Sequence, residues 1–82
     1  MVHHVPDSLG EIRFHRDANR CGYFIANLDE DETLSIEVEG NPTFTLIPMS
    51  YIRIADSVGI TAKGGNGSRE YTVLEYSAGS EF

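Results

Sequence analysis

The chain has 82 residues, 40% of them hydrophobic and 23% charged, with 6 Lys and Arg against 13 Asp and Glu for a net charge of −7. That length admits one hydrophobic core and no second domain, and the composition is that of a globular chain rather than a disordered one. A single cysteine excludes an internal disulfide, no apolar run approaches the ~20 residues that cross a bilayer, and the N-terminus lacks an export signal, so the expectation is a cytoplasmic protein without membrane contact.

Residues 1–9 hold Pro6 and no sustained period, and read as an N-terminal arm carrying His3 and His4. From Gly10 onward Ile12 and Phe14 alternate with Glu11, Arg13 and His15, the period of a half-buried strand. Asp17-Ala18-Asn19-Arg20 reads as a turn into a second strand, Cys21 to Leu28, paired antiparallel to the first. Its consecutive Tyr23, Phe24 and Ile25 predict either cover on both faces or an exposed aromatic, and Cys21 beside Gly22 reads as a small buried residue.

Thr33 to Glu39 alternates without a fault, which directs Leu34, Ile36 and Val38 inward and Glu37 and Glu39 outward. Gly40-Asn41-Pro42 breaks that strand, and Thr43 to Ile47 forms the next, ended by Pro48. Between Met49 and Ser57, Ile52 and Ile54 favour a strand, whereas Pro48 followed by Tyr51, Ile52 and Ala55 also suits a short helical turn. Val58 to Ala62 and Arg69 to Tyr76 flank Lys63-Gly64-Gly65-Asn66-Gly67-Ser68, a pattern read as a C-terminal hairpin. The domain is placed at residues 10–78, and residues 79–82 match what two adjacent cloning sites encode and are set aside.

About six short strands separated by turn residues predict an all-β fold, a small barrel or sandwich. Closure of the sheet removes unpaired edges, which favours a barrel, SH3-like or OB-like, over an open sheet.

The charge is unevenly spread. Residues 29 to 39 hold Asp29, Glu30, Asp31, Glu32, Glu37 and Glu39 with no base, nearly the whole of the net charge. Such a face either keeps a small protein soluble or steers a basic partner toward it. Arg13, His15, Arg16 and Arg20 supply the opposite sign and fit cross-strand ion pairs better than a phosphate track.

Nothing in the spacing points to chemistry. His3, His4, His15 and Cys21 match no zinc pattern, and no catalytic residue, metal or cofactor is assigned. Asp29 to Glu32 read as solvated rather than as an acid and base pair, and Gly64-Gly65-Asn66-Gly67 lacks the Gly-Lys-Ser/Thr of a phosphate loop. The expected activity is therefore non-enzymatic binding of a basic protein partner, or of a second copy of the chain, through Asp29, Glu30, Asp31, Glu32, Glu37 and Glu39 together with exposed Tyr23, Tyr51 and Tyr71. Binding of a small ligand, or catalysis, in the cleft of an oligomer is a further alternative.

Gly10-Glu11-Ile12-Arg13-Phe14 followed by Gly22-Tyr23-Phe24-Ile25 resembles the opening of cold-shock domains, where a Gly-x-Val-Lys-Trp strand precedes a Gly-Phe-Gly-Phe-Ile strand. The resemblance implies an OB-type barrel in which Phe14, Tyr23 and Phe24 stack single-stranded bases. The tryptophan has no counterpart here, and the acidic strand that follows would repel backbone phosphates, so single-stranded nucleic acid ranks behind a protein partner.

Overall fold

The fold was obtained as a computed structural model that describes residues 1–77. Residues 79–82, set aside above, lie outside the described residues. Among the described residues all regular structure is β apart from one 3₁₀ turn, Gly65–Gly67. The strands are β1 (Val2–His4), β2 (Glu11–Phe14), β3 (Arg20–Asn27), β4 (Leu34–Val38), β5 (Phe44–Leu46), β6 (Ser50–Ile54), β7 (Ile60–Gly64) and β8 (Tyr71–Ser77).

They form two antiparallel four-stranded sheets rather than one closed barrel: β1-β8-β3-β6 in the first and β2-β7-β4-β5 in the second. The expected count of about six rises to eight chiefly because Val2–His4, read as an arm, pairs with Val73–Glu75 of β8. The inner faces explain the layered arrangement. Tyr23, Ile25, Tyr71 and Val73 of the first sheet and Ile12, Leu34, Ile36, Val38, Leu46, Ile60 and Ala62 of the second all join a single buried cluster. Two sheets that each carry one apolar face bury both by stacking.

Two expected pairings are corrected. β2 does not pair with β3 but with β7, through Ile12↔Ala62 and Phe14↔Ile60. β7 and β8 do not form a hairpin, because they lie in different sheets. The cause of the second is in the turn itself. Gly64 N donates to Gly10 O and Gly65 N to Thr33 O, so the corner is fastened to the second sheet, while Asn66 (φ 52°) and Gly67 (φ 76°) turn the chain toward the first. Residues 50–54 form strand and not helix, paired with β3 through Ile52↔Ile25 and Ile54↔Tyr23. A left-handed Met49 (φ 57°) makes the bend that Pro48 begins.

Gly10 sits where only glycine fits. Its φ is +76°, and a Cβ there would lie 2.5 Å from Gly67 O and 2.6 Å from Ser68 O. Gly40 has a similar φ of +78° with nothing within 4 Å. Gly10→Ala is therefore expected to cost at least about 2 kcal/mol and lower Tm by roughly 8 °C or more, against a smaller loss for Gly40→Ala, which carries the conformational strain alone. Thermal melts of the two variants check this, and equal losses would show that the close approach at Gly10 is not felt.

Candidate functional site

Antiparallel pairing gives each sheet an outer face as well as an inner one, and the two outer faces differ. On the second sheet Arg13↔Thr61↔Glu37 and Glu11↔Lys63↔Ser35↔Thr45 run across the strands, a mixed-charge polar surface. On the first sheet the equivalent rows are Arg53↔Phe24↔Leu74 and Tyr51↔Ala26↔Thr72. The Phe24 and Tyr51 rings stack with centroids 5.4 Å apart and planes at 28°. Leu28 and Met49 continue the apolar surface at the end of β3 and the start of β6, 53% and 64% exposed, and Tyr51 is 70% exposed. Tyr76 lies on the same side, packed over Gly22, where a Cβ would meet its hydroxyl at 2.9 Å.

The acidic loop meets this face at the Leu28 end. Leu28, Asp29, Glu30, Asp31 and Glu70 bound an open depression of about 330 Å³. The four acids are not equivalent. Asp29 Oδ1 accepts the Asp31 and Glu32 amides at 2.8 and 3.0 Å, and its Oδ2 accepts the Ser68 hydroxyl at 2.6 Å. Those bonds, the Ser68 hydroxyl foremost, hold its carboxyl below the usual range. Glu32 Oε1 accepts Asn66 Nδ2 at 2.9 Å. Asp29 and Glu32 therefore build the loop, and Glu30 and Asp31 are its exposed charges. Buried Asn27 anchors the whole turn, its Nδ2 donating to the carbonyls of Glu32, Leu46 and Ile47.

The remaining two acids lie elsewhere. Glu37 is exposed on the outer face of the second sheet. Glu39 Oε1 accepts both Arg16 Nη2 at 2.8 Å and Arg16 Nε at 3.2 Å, and its Oε2 takes the Gly59 amide at 3.4 Å. These partners, Arg16 foremost, draw its carboxyl down. The pair spans a wider open depression of about 550 Å³, in which Arg13 and His15 face Glu37, Asn41 and Thr43. Arg16 is thus already paired with Glu39, between the segments that follow β2 and β4 rather than across neighbouring strands.

Of the three candidate tyrosines only Tyr51 is exposed. Tyr23 is fully buried and Tyr71 4% exposed. The Tyr23 hydroxyl donates to Val58 O at 2.7 Å, and the Tyr71 hydroxyl reaches Gly10 O at 2.8 Å and Ala62 O at 3.1 Å. Period two explains the correction: Tyr23 shares its face with Ile25, and Tyr71 with Val73, so each tyrosine follows the apolar side of its strand. The stacking platform implied by the cold-shock resemblance is likewise not assembled, because Phe14 packs against the core and Tyr23 is inside it, while Phe24 points the other way. Cys21, expected buried, is exposed, since it occupies the irregular step between Arg20 and Gly22 in the β3–β8 ladder.

One feature had no sequence signal. Arg20, which resembles its neighbours Arg13 and Arg16, is 7% exposed at the end of the sandwich. Its Nε donates to Glu75 Oε2 at 2.7 Å, and its Nη1 reaches the carbonyls of His15, Ser57 and Val58 at 2.7, 3.2 and 3.3 Å. The guanidinium lies 4.8 Å from the Tyr23 ring centroid and 5.5 Å from that of Phe14. Glu75 Oε1 also meets His4 Nε2 at 3.0 Å. Burial acts to raise the Glu75 carboxyl, and the bonds from Arg20 and His4 outweigh it, leaving it below the ordinary range. Every donor and acceptor here is directed at its own chain, so the network is a fastening that holds β1, β2, β3 and β8 together.

No family model, curated protein or solved structure matches the chain.

Proposed function

We propose that this protein is a non-enzymatic binding module that engages a basic protein partner through the outer face of its first sheet. The observation that carries this reading is the contrast between the two outer faces. Sheet faces left to solvent are ordinarily polar, as the second sheet's is, and a contiguous apolar and aromatic surface marks an interaction site. Phe24, Tyr51, Leu74 and Leu28 supply that surface here. Aromatic side chains at a partly exposed position offer contact area at low entropic cost. Glu30, Asp31 and Glu70 sit at its Leu28 end, where they attract a partner bearing Lys or Arg beside an apolar anchor.

The test is capture of partners from a lysate of the native host, compared across three variants whose circular dichroism matches the parent. Leu28→Ser with Leu74→Thr removes apolar contact, and Glu30→Lys with Asp31→Lys reverses the rim. Each is expected to weaken capture by about tenfold or more, the second with a flattened or inverted salt dependence of what remains. Glu37→Lys, on the opposite face, is expected to leave capture unchanged. Indifference to the first two variants, or an equal loss with the third, would overturn the reading.

A further inference from the structure

The depression of about 550 Å³ on the outer face of the second sheet differs in its charges from the one beside Leu28. There Glu30, Asp31 and Glu70 have one sign. Here Arg13 of β2 and Glu37 of β4 stand on opposite sides of Thr61 of β7, in a single cross-strand row. They do not meet. Among the described residues Glu37 makes no ion pair or side-chain hydrogen bond, and the one side-chain partner of Arg13 is Glu11 of its own strand, at 3.5 Å. Thr61 therefore forms the floor of a trough with an unmatched cation on one wall and an unmatched anion on the other.

The charges at both ends of the trough are already engaged or matched. At one end Arg16 and Glu39 pair at 2.8 Å, Glu39 also accepts the Gly59 amide at 3.4 Å, and Asp56 is close enough to act on both charges. At the other, Glu11 and Lys63 are cross-strand partners of opposite sign. The floor stays low toward Gly59, where a Cβ would lie 2.6 Å from Phe14 O. Within the lining Arg13 and Arg16 are matched by Glu37 and Glu39, so with His15 counted as neutral the depression has no net charge, although the chain carries −7.

We infer that this trough binds a short zwitterionic amino acid, its carboxylate on the Arg13 guanidinium and its ammonium on the Glu37 carboxylate, lying across Thr61. Electrostatics selects that class. A lone anion reaching Arg13 also meets Glu37 and the field of an acidic chain, and a lone cation reaching Glu37 meets Arg13. A molecule with both charges is attracted at both ends, and its net neutrality frees it from the field of the whole chain. The guanidinium offers a carboxylate two parallel donors, and a carboxylate accepts from an ammonium without a change of protonation. Spacing narrows the class further. Two strand spacings separate the walls by about 9.6 Å for side chains that stand upright, and two bonds of about 2.9 Å leave roughly 4 Å between the ligand's charged groups. Both contacts are exposed to solvent, so the affinity is of roughly millimolar order. None of these residues belongs to the surface proposed for a protein partner.

Isotope-labelled protein titrated with β-alanine and followed by nuclear magnetic resonance tests this, beside propionate and propylammonium at constant ionic strength. β-Alanine is expected to shift the Arg13, Glu37 and Thr61 amide signals saturably, and each singly charged control to bind at least about threefold more weakly. Arg13→Gln and Glu37→Gln are each expected to weaken β-alanine by a similar factor. Thr61→Phe keeps every charge but fills the space over the floor, and is expected to abolish the shifts. Circular dichroism establishes that each variant is folded. β-Alanine that binds no tighter than propionate or propylammonium would overturn the inference, as would binding indifferent to both glutamine variants, or shifts that survive in folded Thr61→Phe.

Discussion

Arg20→Met is expected to lower stability by about 3–5 kcal/mol, the scale for removing one partner of a buried ion pair. The loss is large because one side chain serves several groups. Without it Glu75 keeps only His4, the carbonyls of His15, Ser57 and Val58 lose their shared donor, and the Phe14 and Tyr23 rings lose the cation between them. A chain of this length has on the order of 4–12 kcal/mol to lose, so the variant is expected to be partly unfolded near its growth temperature. Urea titration of Arg20→Met beside Arg20→Lys measures it. Lysine restores the charge but presents one ammonium where the guanidinium addressed a carboxylate and three carbonyls at once, so it is expected to recover less than half of the loss. A cost below about 1 kcal/mol for Arg20→Met would show that the network is not what holds this end of the sandwich.

At high pH the two buried tyrosines are expected to unfold the protein. Burial pushes the Tyr23 hydroxyl up to about 12 and raises that of Tyr71 as well. In the unfolded chain a tyrosine ionises near 10, so the stability these hydroxyls contribute is complete below about pH 10 and is lost as pH rises through 12. Tyrosinate absorbance and circular dichroism recorded together are expected to change in one transition, because the folded interior does not admit either anion. Tyr71→Phe is expected to move that transition to higher pH while costing about 0.5–1.5 kcal/mol at neutrality, where the hydroxyl's bonds to Gly10 O and Ala62 O are lost and the Gly64 amide still reaches Gly10 O. Separate tyrosinate formation with the sheets intact would contradict the assignment.

Along β4 alternation alone settles which side chains are inside. Leu34, Ile36 and Val38 are buried and Glu37 is exposed, as strict alternation requires. The same rule, applied to Tyr23 beside Ile25 and Tyr71 beside Val73, would have placed both tyrosines inside. The residue type argues for exposure instead, because a tyrosine has a polar tip as well as an apolar body, and the hydroxyl's partner is a backbone carbonyl brought near only by folding. The apolar face was hidden for a related reason. Phe24, Tyr51 and Leu74 come from three strands, and their adjacency exists only once β3 lies between β6 and β8.

Composition and period two were enough, by themselves, to determine that this chain is all-β, where its strands of steady alternation lie, and that its acidity is concentrated in residues 29–39. Local sequence governs those properties, because side-chain direction alternates along any strand whatever its neighbours are. Tertiary structure alone decided that the strands stack as two sheets, that Arg20 is inside while Arg16 is outside, and which surface remains apolar. Each of these depends on contacts between residues tens of positions apart, and a pairing such as Phe24 with Leu74, or Arg20 with Glu75, leaves no periodic trace in the chain that makes it.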